Sequence, residues 1–551
     1  MEKLQTKVLV IIQKISIESL YRNEVAMKRL VSVAEMKAIE QEADARGLSY
    51  AQMMENAGCG VAGALLALGQ KYSWRSAVGL AGPGNNGGDT LVALEQLARA
   101  GWNVRAICVR RSREDELVNR LLMRNQKVLL IEDDPQEEKL RSFLENSHVL
   151  LDGLLGTGVR LPLKEEMAAV LRKTRAILDT LADELFVVAV DCPSGVDCDS
   201  GAAADECLKA DLTLTMACVK QGLLKLPAFS LVGDLQVVDI GLPPDLPALE
   251  KVKRFIPEPA WVADRLPPRP LDAHKGTFGT ALLVVGSVPY TGAAYLAAMA
   301  AYRVGAGLVT LALPAPLHAA LAGHLPEATW LLLPHQDGFI SAQAAEVIRQ
   351  NLGHAAAMLI GCGFGLQKTT EQFLSTLLNG NLSLPPLVVD ADGLKLLVRL
   401  PDWPKKLPAQ TVLTPHPGEM AILTGLSKEE IQADRNAVAA RYAEAWGHVV
   451  VLKGAFTVIA APDGRVAVLP FATPALARAG TGDVLAGLIV GLRAQGMEAF
   501  EAAVAGAWIH AQAGLNALGA AETSAAVLAS DLLQEIGGVL AELTIPDGVG
   551  A

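Results

Sequence analysis

Residues 77–89 read Ala77-Val78-Gly79-Leu80-Ala81-Gly82-Pro83-Gly84-Asn85-Asn86-Gly87-Gly88-Asp89: a short apolar run, then a glycine-rich turn on which a helix is predicted to open. Glycine lets backbone approach a ligand closely, and a helix start offers unpaired N–H groups and positive potential to a phosphate. A simple turn has no need of Asn85, Asn86 and Asp89 together, so the cluster points to binding. Outward from it, strands are predicted at residues 104–109, 128–131, 149–152, 187–191, 212–216 and 235–240, with helical stretches between the earlier ones. Such alternation argues for βα units around a parallel sheet. Upstream, a helical pattern runs from Met27 through Met36, Ile39 and Ala43, whereas residues 1–26 match nothing that follows and are expected to be an extension preceding a functional start at Met27.

A chain of 551 residues is too long for one hydrophobic core. The proline-rich passage 242–270 is expected to form neither regular helix nor central strand, which places a boundary near Asp245 and gives domains 27–244 and 245–551. A second α/β series follows, with strands predicted at 281–285, 308–313, 358–360, 387–389, 412–413 and 449–452 and an Ala- and Leu-rich helical final third. Residues 276–302 carry no charge except Lys275 just before them, but Gly286, Pro289 and Gly292 break the run into strand, loop and helix instead of a membrane span. A net charge of -11 argues against a nucleic-acid partner. Seven scattered cysteines without C-x-x-C spacing, and no signal-peptide core, suggest a reducing cytoplasmic setting.

Two more predicted strand ends in the first half carry polar clusters, Asp152-Gly153-Leu154-Leu155-Gly156-Thr157-Gly158 and Asp191-Cys192-Pro193-Ser194-Gly195. In an open parallel sheet such ends converge on one crevice. With Met54-Glu55-Asn56-Ala57-Gly58, these segments resemble the NAD(P)H-hydrate epimerase family over roughly residues 27–242. The resemblance implies a Rossmann-like sheet and a hydrated dinucleotide contacted by Asn85, Asn86, Gly87, Gly88 and Asp89, by Gly156, Thr157, Gly158, Val159, Arg160, Leu161 and Pro162, and by Asp191. It also implies a potassium ion on Asn86, Asp152 and Ser194, and Asp191 as the proton-transfer residue. Oxygen-bearing side chains suit a hard cation. Thr90 departs from the family, which usually has Gly there.

In the second half Gly480-Thr481-Gly482-Asp483 precedes an apolar helix, an arrangement that makes an anion hole with a base beside it. Its companions are Gly361-Cys362-Gly363-Phe364-Gly365, Asp390-Ala391-Asp392-Gly393-Leu394, Thr414-Pro415-His416-Pro417-Gly418-Glu419 and Lys453-Gly454. Taken in order with Tyr290-Thr291-Gly292-Ala293, they resemble the NAD(P)H-hydrate dehydratase family of the ribokinase-like α/β fold. That resemblance implies Ala293, Gly363, His416 and Asp483 on the hydrate, with Asp483 catalytic, and Lys453, Gly454, Ala455, Phe456, Thr457 and Gly482 on the nucleotide. It implies ADP as phosphoryl donor, magnesium with it, and phosphorylation of the ring hydroxyl before phosphate leaves. Lys395, Thr473 and Arg478 depart from the family pattern. A homo-oligomer is expected. Two rival readings are a ribokinase-like small-molecule kinase for the second half and a non-catalytic dinucleotide-binding module for the first.

Overall fold

In the computed structural model, residues 28–181, 185–379 and 383–544 are described, so the expected extension 1–26 lies outside them. The chain divides into two compact units, Lys28–Lys253 and Arg254–Ala551.

The first unit is built on seven strands: β1 (Ser76–Ala81), β2 (Asn103–Cys108), β3 (Lys127–Leu130), β4 (Val149–Gly153), β5 (Phe186–Val190), β6 (Leu212–Met216) and β7 (Asp234–Val238). They pair in the order β3-β2-β1-β4-β5-β6-β7, and every pairing is parallel. Helices cover both faces, so the central strands are buried throughout and read as continuous apolar runs. Strand order reverses between β1 and β4, where connections leave to opposite sides and open a crevice beyond the strand ends. Helix α1 (Val33–Ala45) starts at a Ser32–Glu35 capping box and buries Met36, Ile39 and Ala43, residues three and four apart on one face. Burial of a side chain the size of Met36 or Ile39 is worth about 1.5–3 kcal/mol. A short parallel pair of Lys28–Val31 with Val219–Lys220 sets Val31 opposite Lys220.

The second unit has strands β8 (Thr280–Val284), β9 (Leu308–Pro314), β10 (Thr329–Leu333), β11 (Ala357–Ile360), β12 (Leu387–Val389), β13 (Val412–Leu413) and β14 (Val449–Leu452). Their order is β10-β9-β8-β11-β12-β13-β14, all parallel, again with a switch point beside the first strand of the series. Val458–Ala460 and Val466–Val468 extend the sheet antiparallel, and Arg254–Ile256 pairs parallel with the latter. Helices α2 (Asn85–Arg99) in the first unit and α3 (Thr291–Arg303), α4 (Thr481–Ala494) and α5 (Ala499–Ala521) in the second carry or cover the functional segments. Small residues bring α3 and α4 close: a Cβ on Gly487 would lie 2.3 Å from the Ala297 carbonyl oxygen.

Two sequence expectations need correcting. Prolines in 242–270 do not prevent helix: Pro247 and Pro259 each start a short one, at the position where a missing N–H costs nothing. The division between units falls at Lys253 and not at Asp245, because Leu246 and Val252 are buried in the first unit's core. The uncharged stretch 276–302 forms β8, a short turn of helix and most of α3, and no helix among the described residues is long and apolar enough to cross a membrane.

Candidate active sites

Because the first sheet is parallel, the C-terminal ends of β1, β4 and β5 share one edge. On it stand the start of α2, Asp152 within β4, and Asp191 just after β5. The glycine-rich turn is tight enough that a Cβ on Gly87 would sit 2.0 Å from the Gly82 carbonyl oxygen. Asn85 is exposed there, while Asn86, Gly87, Gly88 and Asp89 are buried. Residues 156–162 form a partly exposed loop at the same edge, and Gly156 lies against Asn86, whose Cβ is 3.1 Å from an added Cβ.

Asp152 is buried and takes the Ser194 N–H at 2.9 Å and the Ser194 hydroxyl at 2.6 Å. The Leu155 N–H donates to Ser194 Oγ at 2.8 Å, and the Asn86 amide donates to the Leu155 carbonyl at 2.9 Å. The three expected cation ligands therefore meet around Leu155. The other amide atom, Asn86 Oδ1, is buried without a hydrogen-bond partner. An orphaned acceptor beside a carboxylate and a hydroxyl is a donor set that suits a hard monovalent or divalent cation. Burial pushes the Asp152 carboxyl up, against the Ser194 hydrogen bonds. Thr90 turns away from this chemistry: its hydroxyl donates to the Asn86 carbonyl at 2.9 Å, and its side chain fills the space over Gly153.

Asp191 has the left-handed φ of +65°, a sparsely populated conformation that surrounding contacts must hold. Its Oδ1 accepts from Lys220 Nζ at 2.5 Å, the Met216 N–H at 3.0 Å and the Thr215 hydroxyl at 3.2 Å. Lys220 is 1% exposed, a residue that sequence reasoning missed. Its one signal was a charge at the end of the apolar run Met216-Ala217-Cys218-Val219. Burial works against the ammonium, but the charge and hydrogen bond of Asp191 outweigh it and hold the Lys220 pKa above its usual value. Burial, with the charges of Asp191 and Glu40, pushes the neighbouring Asp89 carboxyl well up.

In the second unit, α4 opens at Gly480 with φ +93°, and Asp483 lies in its first turn. An added Cβ on Gly482 would stand 3.5 Å from Lys453 Nζ and 3.8 Å from Asp390 Oδ2, so lysine and carboxylate border the helix start. Asp390 is buried, and its Oδ1 takes Lys453 at 2.6 Å and the Thr414 hydroxyl at 2.7 Å. Cys362 Sγ is 3.7 Å from Asp390 Oδ2, and ligand atoms of Cys362, Asp390 and Asp483 all lie within 4.8 Å of one another. Burial and then the Asp390 charge push Asp483 up to about 6, only partly offset by Cys362 and Lys453. Burial disfavours the Lys453 ammonium, yet Asp390 and Glu419 hold its pKa above normal.

His416 caps the helix Pro417–Thr424: Nδ1 accepts the N–H groups of Gly418 at 2.9 Å and Glu419 at 3.2 Å. That places the ring proton on Nε2, which faces Glu419 Oε1 at 3.4 Å. Burial and the nearby lysines lower the His416 pKa, so the ring is neutral near pH 7. Gly363, with φ +67°, packs against Ala293, and Gly454 to Thr457 make a turn closed by the Thr457 hydroxyl on the Gly454 carbonyl at 2.8 Å. Ala455 is exposed on that turn and Phe456 buried behind it. Of the departures, Lys395 binds Asp392 at 3.0 Å, Thr473 caps the short helix Pro474–Leu476, and the Arg478 guanidinium is committed to the Ala525 carbonyl.

Two family models match, one described as NAD(P)H-hydrate dehydratase over residues 281–537 and one as YjeF-related protein N-terminus over residues 50–222. A bifunctional NAD(P)H-hydrate repair enzyme of Moorella thermoacetica is 36% identical over 524 residues, covering 93% of this chain and 97% of that protein. The enzyme of the same name from Salinibacter ruber is 36% identical, covering 90% of this chain and 93% of its own length. Among solved structures, the ADP/ATP-dependent NAD(P)H-hydrate dehydratase of Bacillus subtilis, co-crystallised with ATP and Mg2+, is 30% identical with a TM-score of 0.44, covering 52% of this chain and 97% of that one.

Proposed function

The chain belongs to the bifunctional NAD(P)H-hydrate repair family, and from that premise we propose that its two centres split the repair of hydrated NADH and NADPH between them. The first unit interconverts the R and S hydrates. The second removes water from the S hydrate, using ADP and releasing AMP and phosphate. The observation that carries the reading is that each unit sets one carboxylate, Asp191 or Asp483, beside a glycine-rich helix start at a switch-point edge.

In the first centre the hydrate lies along the start of α2 and the 156–162 loop, its phosphates on backbone N–H groups. Its ring hydroxyl leaves with help from the nitrogen lone pair. Asp89, held towards its neutral form, gives the departing oxygen a proton; Asp191 takes one from the water that adds to the opposite face. Transfer of that proton from Asp191 back to Asp89 restores the starting state. Asn86, Asp152 and Ser194 would hold potassium, which supplies fixed positive charge for an anionic ligand.

In the second centre Gly480–Gly482 receive the transferring phosphoryl group, and Asp483 takes the proton of the attacking ring hydroxyl. Lys453 and the 454–457 turn hold the nucleotide, while Ala293, Gly363 and neutral His416 border the hydrate. Magnesium would be held mainly by phosphate oxygens, because Lys453 already occupies Asp390 and a thiol is a poor partner for it. Phosphate then leaves with help from the nitrogen lone pair, and loss of a proton from the adjacent ring carbon to solvent re-forms the ring double bond. The work is cytoplasmic.

Stereochemically pure hydrates test the division. Asp191→Asn should slow R-to-S conversion about 10²–10⁴-fold while the S form is still dehydrated with ADP, and Asp483→Asn should do the reverse. Near-normal ADP-dependent repair by Asp483→Asn, measured against the spontaneous rate, would sink the second half of the reading.

A further inference from the structure

We propose that Lys220 is a positioning residue for Asp191: it locks Oδ1 of that carboxylate and so fixes Oδ2 as the oxygen that meets the hydrate. The proposal rests on Asp191 as the proton carrier of the first centre. Three donors converge on Oδ1, namely Lys220 Nζ at 2.5 Å, the Met216 N–H at 3.0 Å and the Thr215 hydroxyl at 3.2 Å, while among the described residues no hydrogen bond reaches Oδ2. Lys220 has three N–H bonds, and three acceptors take them: Asp191 Oδ1, the Met216 carbonyl at 2.9 Å and Thr215 Oγ1 at 3.1 Å. None is left for substrate, which separates Lys220 from a catalytic lysine.

The placement is built by the fold. Val219–Lys220 pairs with Lys28–Val31 in a fixed register, and Lys220 is fully enclosed. Burying an ammonium costs several kcal/mol, which an apolar side chain of the same length would not. A lysine at this spot is therefore explained by what it does to its partner. Asp191 also sits at a left-handed φ, where the backbone bond from its N–H to the Leu214 carbonyl at 2.8 Å and the lock on Oδ1 together fix it.

The charges around the pair show why a cation is needed. Asp191 faces Asp89 from α2 and Glu40 from α1, with the thiols of Cys192 and Cys198 beside Lys220; Lys37 acts on Glu40. Without Lys220, three carboxyl groups would share a largely enclosed space. With it, the Oδ1 of Asp191 is paired to an ammonium, while burial first and then the charges of Asp191 and Glu40 push Asp89 up towards its acid form.

Lys220→Met in the full chain tests this. Epimerisation of pure R hydrate, corrected for the spontaneous rate, should fall about 100-fold in kcat with KM changed little. The acid limb of the pH profile should move up by about 1–3 pH units, the usual effect of removing an opposite charge at this distance. An infrared band of a protonated carboxyl should appear near neutral pH in Lys220→Met and be missing in Lys220→Met/Asp191→Asn. Should Lys220→Met fail to fold by circular dichroism, Thr215→Val removes a neutral donor from the same oxygen, with an expected loss of about 3–10-fold. An unmoved acid limb together with no new band would overturn the proposal, as would Thr215→Val with unchanged kcat if Lys220→Met cannot be purified folded. If Asp191→Asn itself kept full epimerisation, the proton-carrier reading would fail instead, and the band would still report whether Lys220 holds Asp191 ionised.

Discussion

ADP-dependent dehydration should follow the ionisation of Asp483, whose carboxyl is pushed up to about 6, chiefly by burial and secondly by the charge of Asp390. A base must be ionised to accept the ring hydroxyl's proton, so kcat/KM should be flat above about pH 7 and fall below about pH 6. One unit below the midpoint only about a tenth of the molecules hold the active form, which gives roughly a tenfold loss near pH 5. Asp390→Asn removes a negative neighbour and frees Lys453 to act on Asp483; both changes favour the anion, so the limb should shift to lower pH. Stability runs the other way. A carboxyl whose folded pKa lies above its unfolded 3.8 favours folding most below that value, and loses the contribution as pH rises through about 6. Asp483→Asn should therefore melt a few degrees higher than the parent at about pH 8, from on the order of 1–3 kcal/mol recovered, and show no gain near pH 3.5. The assay is the return of NADH absorbance from pure S hydrate at saturating ADP, beside calorimetric melts. Glu419, also raised by burial, is the group that could imitate the limb, and Glu419→Gln should leave it in place. A limb that vanishes with Glu419→Gln, or an Asp483→Asn protein no more stable at high pH, would refute the assignment of the base.

Asn86→Leu, which removes the orphaned amide oxygen, should abolish any stimulation of epimerisation by potassium over choline while ADP-dependent repair is untouched; unchanged stimulation would remove Asn86 from the cation site. Gly482→Ala meets only ordinary contacts, so the protein should fold with unchanged or slightly raised melting temperature, yet the methyl enters the phosphoryl site and dehydration should fall at least about 10²-fold. A fully active Gly482→Ala enzyme would place the phosphoryl group elsewhere.

The parallel cores were legible because two-sided burial makes their strands continuous apolar runs: all thirteen strands expected from the sequence occur, within a residue or two at their ends. Missing from the sequence reading were the strands Lys28–Val31, Val219–Lys220, Arg254–Ile256, Thr329–Leu333, His335–Gln336, Phe339–Ile340, Val458–Ala460 and Val466–Val468. Several of these lie at edges or in short antiparallel returns, where pairing is decided by distant partners and not by local pattern. Motif segments announced themselves by clusters of polar side chains beside glycine, more than a simple turn has need of. Lys220 and Thr215 did not, because a single charge or hydroxyl in an apolar run gains meaning only from the side chains that the fold brings to it. Arg478 illustrates the converse: a departure from the family pattern that the sequence singles out is spent on a backbone carbonyl.

The two units solve one electrostatic problem twice, with different outcomes. In each, a buried lysine and a threonine hydroxyl hold Oδ1 of an aspartate at a strand end: Lys220 and Thr215 on Asp191, Lys453 and Thr414 on Asp390. On the mechanism proposed for the first unit the held carboxylate is the reacting one, and burial with the charges of Asp191 and Glu40 pushes its neighbour Asp89 up. In the second the held carboxylate is a neighbour, and its negative charge helps lift Asp483, which has no cation of its own, to where it can both take and return a proton near neutrality. A base for phosphoryl transfer must let go of its proton after each turnover, and a midpoint close to the working pH permits that. A carboxylate that receives its proton from water adding to a cationic ring needs one oxygen aimed at that water, which a lysine on the other oxygen secures. Exchanging the arrangements should therefore harm both centres: a lysine on Asp483 would make it a poorer base, and Asp191 without its lysine would lose the fixed aim of Oδ2.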